Sequence, residues 1–370
     1  MRIRLLSFFI LIILGLQVRA SSDECRSLFS EASYHGNRAL GPQIFKRDLR
    51  EMRNIFTAIK DFSWEDQSQA LVAQDNRKIF FHLRVLSQTY AKKDSKFFSK
   101  KEETFKNIEY LLGRVQLYQS LGDILTELKE PEVAKVFEVK QISASQDLKK
   151  GLKGLGILKN PKEAIQKIEN DFRSYDWDSP QKDRKFLLKE TLNFAREINE
   201  NIKNDKYNNV DLEEGLHRLR RRLRELIYRI VNLDGLVSLV DEDTLSPALE
   251  QWHKELSAMY PQMSSSPYLP QSAPEINSPF LVGRKSLSVL TQMVVEIGLS
   301  KDKDEPLFYI EKAINEGPFD SEIKARALRK LSKIKADSVD SRAVANYYQQ
   351  RIRDTRLIES IIEFLEENNL

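Results

Sequence analysis

Apolar residues recur along this chain at spacings of three and four, the period of a helix with one buried face. Phe45, Leu49, Met52, Ile55, Phe56 and Ile59 form one stripe, and Ile79, Leu83, Leu86 and Tyr90 form another. Phe105, Ile108, Leu111, Leu112 and Val115 lead into a longer run that ends near Leu128, and Pro131 closes it. Further helical stretches are expected at 186–202, 212–233, 284–299, 307–314, 323–334 and 343–365. Strand-like alternation is rare. The pattern predicts an all-α protein of roughly nine to eleven helices arranged in bundles.

Two segments interrupt the helical rhythm. Residues 151–159 (GLKGLGILK) separate the N-terminal helices from a central group. Residues 261–279 hold the Ser/Pro-rich stretch SSSPYLPQSAPEINSP, which reads as an extended surface loop; a plain connection, a lid and a linker all fit it. The expected organisation is an N-terminal leader at 1–20, a short segment at 21–44 and a first helical half at 45–150. A second helical half at 160–335 carries the loop, and a C-terminal helix spans 336–370.

The leader has its own pattern. Arg2 and Arg4 precede an apolar run from Leu5 to Leu16 that only Ser7 and Gly15 interrupt, and Val18-Arg19-Ala20 follows with small residues at the cleavage site. This is the order of a signal peptide, and the run is too short to span a bilayer comfortably. The alternative is an uncleaved anchor. Export to the periplasm or the medium is therefore expected. No later stretch approaches ~18 apolar residues.

Cleavage changes the electrostatics. The whole chain has net charge +4, but loss of Arg2, Arg4 and Arg19 lowers the basic count from 59 to 56 against 55 acidic residues. The mature chain is close to neutral, so any attraction to a polyanion has to come from local clusters. Cys25 is the single cysteine, which excludes an internal disulfide and any multi-cysteine metal cluster. Ser22-Asp23-Glu24 does not suit lipid attachment to Cys25. A free thiol or an intermolecular bridge is left.

The densest local charge lies between residues 211 and 229. Asp211, Glu213 and Glu214 suit the positive end of a helix. Leu216, Leu219, Leu223, Leu226 and Ile230 then make a core stripe. His217, Arg220 or Arg221, Arg224 and Tyr228 run along its flank, while Arg218, Arg222, Glu225 and Arg229 are expected to point further outward. A row of guanidiniums is suited to phosphates, because each offers fixed donors and a permanent charge. The competing reading is a basic face paired with acids of neighbouring helices. Lys324, Arg326, Arg329, Lys330 and Lys333 make a second basic run on a later helix, with the same two readings.

At these residues the chain resembles the CHAD family, the conserved-histidine α-helical domains. The family's His-x-x-Arg helix matches His217, Leu219, Arg220, Arg222, Leu223, Arg224, Leu226 and Tyr228 in register. Glu225 and Ile227 stand where the family prefers basic residues. The family is built as two similar helical halves, and Phe81-His82-Leu83-Arg84 is the candidate earlier copy. There Arg84 sits at +2 rather than +3, about 100° around the helix. Leu112-Gly113-Arg114, and Leu290-Thr291-Gln292 with Gly298 and Asp302, are similar in part to two further family motifs. The resemblance spans roughly residues 45–320. It implies a pair of helical halves around a basic groove that binds inorganic polyphosphate, lined by His217, Arg220, Arg222 and Arg224, with His82 and Arg84 from the first half.

Catalytic signatures are missing from the sequence. His35, His82, His217 and His253 make no His-Glu-x-x-His site, Gly151, Gly154 and Gly156 fit no phosphate loop, and no G-x-S-x-G elbow occurs. No carboxylate pair stands out to hold the metal that hydrolysis of phosphate chains would need. Trp177 reads as a packing anchor at a helix junction. The sequence thus leads to a non-enzymatic binding protein without a cofactor, whose partner is polyphosphate or another polyanion. The alternative is an envelope scaffold that binds a protein.

Overall fold

The computed structural model describes residues 40–73, 76–208, 213–233, 237–242, 245–261, 263, 269, 280–335 and 341–369. The leader, Cys25, His35, Asp211, Leu212 and most of the 261–279 loop lie outside the described residues. Among the described residues are 13 α-helices and two short strands, so the fold is all-α.

The helices are α1 (Leu40–Ile59), α2 (Trp64–Ala73), α3 (Arg77–Ala91), α4 (Ser95–Glu127), α5 (Pro131–Gly154), α6 (Pro161–Ser174), α7 (Pro180–Lys203), α8 (Arg218–Val231), α9 (Pro247–Met259), α10 (Arg284–Glu316), α11 (Ser321–Lys335), α12 (Ser341–Thr355) and α13 (Leu357–Asn369). A π-helical turn, Glu213–His217, leads directly into α8. Four helices start at a proline, which loses nothing at the first helical position because that N–H has no partner within the helix. At α6 and α9 the preceding residue also caps: Asn160 accepts from the Glu163 N–H at 3.3 Å, and Ser246 from that of Leu249 at 3.2 Å. The ends of α4, α5 and α7 share one device. Lys129, Gly156 and Asp205 take positive φ, and the next residue donates back five positions, as Glu130 does to the Leu125 carbonyl at 3.0 Å.

The chain divides into two compact units. The first runs through Asp123 and resumes at Ala134–Leu187; the second comprises Ile124–Val133 and the chain from Leu188 onward. The segment 151–159 lies within the first unit. Gly151 to Gly154 complete α5 there, because buried Leu148 and Leu152 continue its apolar face, and the chain turns at Gly156.

The core of unit 1 is aromatic. Phe45 stacks on Phe172 with centroids 4.0 Å apart, Tyr90 lies 5.2 Å from Phe98, and Trp177 meets Tyr90 edge-on at 5.1 Å. Trp177 also donates to the Phe172 carbonyl and covers Gly41, where an added Cβ would stand 1.9 Å from its ring. It is the packing anchor that its sequence context suggests. Beneath it, buried Asp183 accepts the Gly41 N–H at 2.9 Å and the Tyr90 hydroxyl at 3.0 Å. Burial pushes the Asp183 carboxyl above its ordinary value despite those donors.

Unit 2 is organised on α10, which packs against α8, α9, α11 and α12. The sequence pattern suggests two helices here; the structure has one that continues through Pro306. A proline removes a single backbone donor, and the buried residues Ile297, Leu307 and Ile310 keep one apolar face running across it. The strands β1 (Val237–Val240) and β2 (Phe280–Gly283) pair in parallel, Val237 opposite Phe280, and α13 packs on β2. Glu242 follows β1 and accepts the N–H groups of Lys285 and Ser286, each at 2.9 Å, so its carboxylate fills the N-terminus of α10.

The basic run on α11 has a structural task. Arg326 grips buried Glu130 with both nitrogens of its fork, at 3.2 and 3.1 Å. Lys330 bonds Glu130 at 2.6 Å and the Leu128 carbonyl at 2.8 Å. Burial by itself would raise the Glu130 carboxyl; the two cations outweigh it and hold it below its ordinary value. A carboxyl depressed in the folded state contributes stability that is present above its unfolded pKa and lost as pH falls through the folded one. We expect Glu130→Gln to destabilise unit 2 by about 1–3 kcal/mol at neutral pH. Urea unfolding at pH 7 and pH 3 checks this, since the gap between wild type and variant should shrink in acid.

Candidate functional site

The arginine helix keeps its predicted spine. Leu216, Leu219, Leu223, Leu226 and Ile230 are all buried. The other faces differ from expectation. Glu225 and Arg229, expected on the outside, are 4% and 8% exposed, and Tyr228 is buried as well. The cause is α7, whose Phe194 packs against this side of α8. The guanidiniums of Arg222 and Arg229 each lie 4.1 Å from the Phe194 centroid. Such a cation over a ring is stabilised by the ring's quadrupole, most strongly where water is excluded. Residues 222, 225 and 229 are three and four apart, so they form a second stripe beside the leucines, buried at Glu225 and Arg229 and half-buried at Arg222.

Carboxylates complete that stripe. Arg222 bonds Glu225 at 3.3 Å and also pairs with Glu197 of α7. Burial lowers the Arg229 pKa to about 10, opposed by the nearby Glu225, so its guanidinium stays charged at neutral pH.

The remaining predicted residues are placed as follows. His217 ends the π-helical turn, with Nδ1 3.8 Å from the Glu305 carboxylate of α10. Arg220 donates from Nε to the Val294 carbonyl at 3.4 Å and lies across Gly298, where an added Cβ would stand 2.6 Å from the guanidinium. Arg224 is half-buried, Arg221 is exposed, and Arg218 pairs with Glu214 at 3.1 Å. His82 and Arg84 belong to unit 1. His82 is buried with Nδ1 3.8 Å from Asp48, and Arg84 lies 3.3 Å from buried Glu109 and 4.4 Å from the Phe81 centroid. The six predicted residues thus fall in two units, four in one and two in the other.

Comparison with protein-family models, with characterised proteins and with solved structures finds no match for this chain. Among the described residues, no group of three or more His, Cys, Asp or Glu side chains is arranged to hold a metal ion. No helix of the described residues is long and apolar enough to cross a membrane. A cleft of about 360 Å³ opens between α1 and α6 of unit 1, with Lys46 and Arg173 at its rim and Glu169 inside. Glu169 is already paired with Arg53.

The partners Phe194, Glu197 and Glu305 had no signature in sequence. Each lies on another helix, and only the fold brings it to α8. In unit 1, burial and facing charges together set the charge states of Asp48 and His82. Asp48 is held at about 2: burial would raise it, but Arg47 and then His82 more than compensate. Burial depresses the His82 imidazole below its ordinary value of 6.5, beyond what Asp48 restores.

Two outcomes follow for stability. A histidine depressed in the folded state opposes protonation, so its contribution is intact above pH 6.5 and declines as pH falls below that value. An NMR titration should find the His82 imidazole protonating below its ordinary value, and a normal or raised value would contradict its burial beside Lys78 and Arg47. In unit 2, Glu225→Ala removes the carboxylate shared by two largely buried guanidiniums. A loss of about 2–4 kcal/mol is expected in chemical unfolding.

Proposed function

We propose that this chain is an exported, non-catalytic helical scaffold that binds a protein partner in the cell envelope or outside it. Export rests on the leader pattern of residues 2–20. What supports the scaffold reading above all is the setting of the arginine helix. Its most buried cations lie on Phe194 and against Glu197 and Glu225, where they hold α7 and α8 together. A guanidinium that already faces a carboxylate must give up that partner before it takes a phosphate, so its net gain from a polyanion is small. The mature chain's near-neutral charge adds no long-range attraction.

The polyanion reading, which the CHAD resemblance implies, draws on one observation. Arg218 and Arg221 are exposed on α8, and Arg220 and Arg224 are half-exposed beside them. Polyphosphate running along these four would release counterions, so binding would fall steeply with salt.

Titration of the mature chain with polyphosphate over a salt series separates the two. The scaffold reading expects no salt-sensitive binding, together with a stoichiometric protein partner that co-purifies from the envelope fraction. Tight binding that weakens with salt, and disappears in an Arg218→Ala/Arg220→Ala/Arg221→Ala/Arg224→Ala variant of unchanged helicity, would establish the polyanion reading in its place.

A further inference from the structure

In unit 1, α4 up to Asp123 and α5 from Ala134 onward present exposed aromatic and aliphatic side chains. On α4, Tyr110, Arg114 and Tyr118 recur at intervals of four and so share one face. The Arg114 guanidinium lies 5.8 Å from the Tyr110 centroid and 5.6 Å from that of Tyr118. Tyr110 itself is 59% exposed. On α5, Val139 and Ile142 are three apart and are 60% and 57% exposed. The opposite side of α5, with Val133, Phe137, Ala144, Leu148 and Leu152, is buried. Arg114 reaches towards Asp147 of α5 at 3.9 Å, and Tyr118 meets Phe137 at 6.4 Å, so the two helices run side by side here.

We infer that this face docks an acidic amphipathic helix of a partner protein. The inference rests on the scaffold reading above and names the surface and the partner's chemistry. Three observations point to that occupant. Tyrosine and arginine are the residues that concentrate binding energy at interfaces, and Arg114 is held between two rings before any partner arrives. Little side-chain freedom is then left to lose on binding. The surroundings are cationic: from Ala134 to Gly154, α5 carries Lys135, Lys140, Lys149, Lys150 and Lys153 against only Glu138 and Asp147. Asp147 is already engaged by Arg114 and by Lys150 at 3.6 Å. A partner helix with carboxylates on its flanks and leucine-like residues between them complements both features. A lipid surface fits less well, because a helix lying in a membrane needs a continuous apolar face. Here the continuous apolar face of α5 is buried.

The probe is a fluorescein-labelled synthetic helix of about 18 residues, with Leu at three- and four-residue spacing and Glu elsewhere, titrated with the full mature chain by fluorescence anisotropy. A counterpart with Lys in place of Glu controls for charge. The Glu helix should bind saturably and the Lys helix should not. Val139→Asp/Ile142→Asp, and separately Arg114→Glu, should each weaken the Glu helix tenfold or more. All three sites are at the surface, so circular dichroism and the thermal midpoint should stay as in wild type. Failure of the Glu helix to bind overturns the inference, as does equal binding by the variants. It also falls if the same substitutions instead abolish binding to phosphatidylglycerol vesicles or self-association in sedimentation velocity. Capture of a stoichiometric protein partner by the Val139→Asp/Ile142→Asp chain would overturn this surface and leave the scaffold reading in place.

Discussion

A buried charge must be met by an opposite charge or by a ring, and much of this fold is arranged around that demand. Guanidinium is the strictest case because it cannot shed its proton to escape. On α8, Arg222 and Arg229 meet it through Phe194, Glu197 and Glu225. The leucine spine of the same helix is non-directional and would tolerate some rotation about the axis. The Arg–Phe–Glu face is directional, and it fixes which way α8 turns towards α7. Carboxylates act in the same manner at helix ends. Glu130 is held by α11 just beyond α4, Glu242 caps α10, and Asp183 takes the first turn of α1. Each joins an element to a distant one at a single geometry, which apolar packing alone does not specify.

The sequence made the apolar part of this structure legible and left the polar part mostly hidden. The stripes through Phe45, Ile79, Phe105 and Leu216 are buried as their periodicity indicates. Prolines 131, 161, 180 and 247 mark helix starts that local sterics explain. Both signals depend on residues a few positions apart. The parallel pair β1–β2 joins residues 43 positions apart, Val237 and Phe280, and four-residue strands leave too little alternation to detect. The continuity of α10 through Pro306 depends on tertiary packing of the face that holds Ile297, Leu307 and Ile310, which no local window contains. The same limit applies to the candidate site. The spacing of the arginines on α8 is visible in the chain, but the inward direction of Glu225 and Arg229 depends on Phe194, some 30 residues earlier and on another helix.

For the functional reading, what decides is the accessibility of the cations rather than their number. α8 carries more arginines than any other described helix, yet Arg222 and Arg229 are set against carboxylates and a ring, where they join α7 to α8. On α4, Arg114 also lies between rings, but those rings stand at the surface, and the guanidinium is oriented without being enclosed. The Tyr-x-x-x-Arg-x-x-x-Tyr spacing is as local as any helical stripe and can be read from sequence once it is looked for. The two settings use the same chemistry to different ends. Where the carboxylates are supplied from within the fold, the cations stabilise it. Where the flanking lysines outnumber the local acids, as along α5, the missing carboxylates are left for a partner to bring.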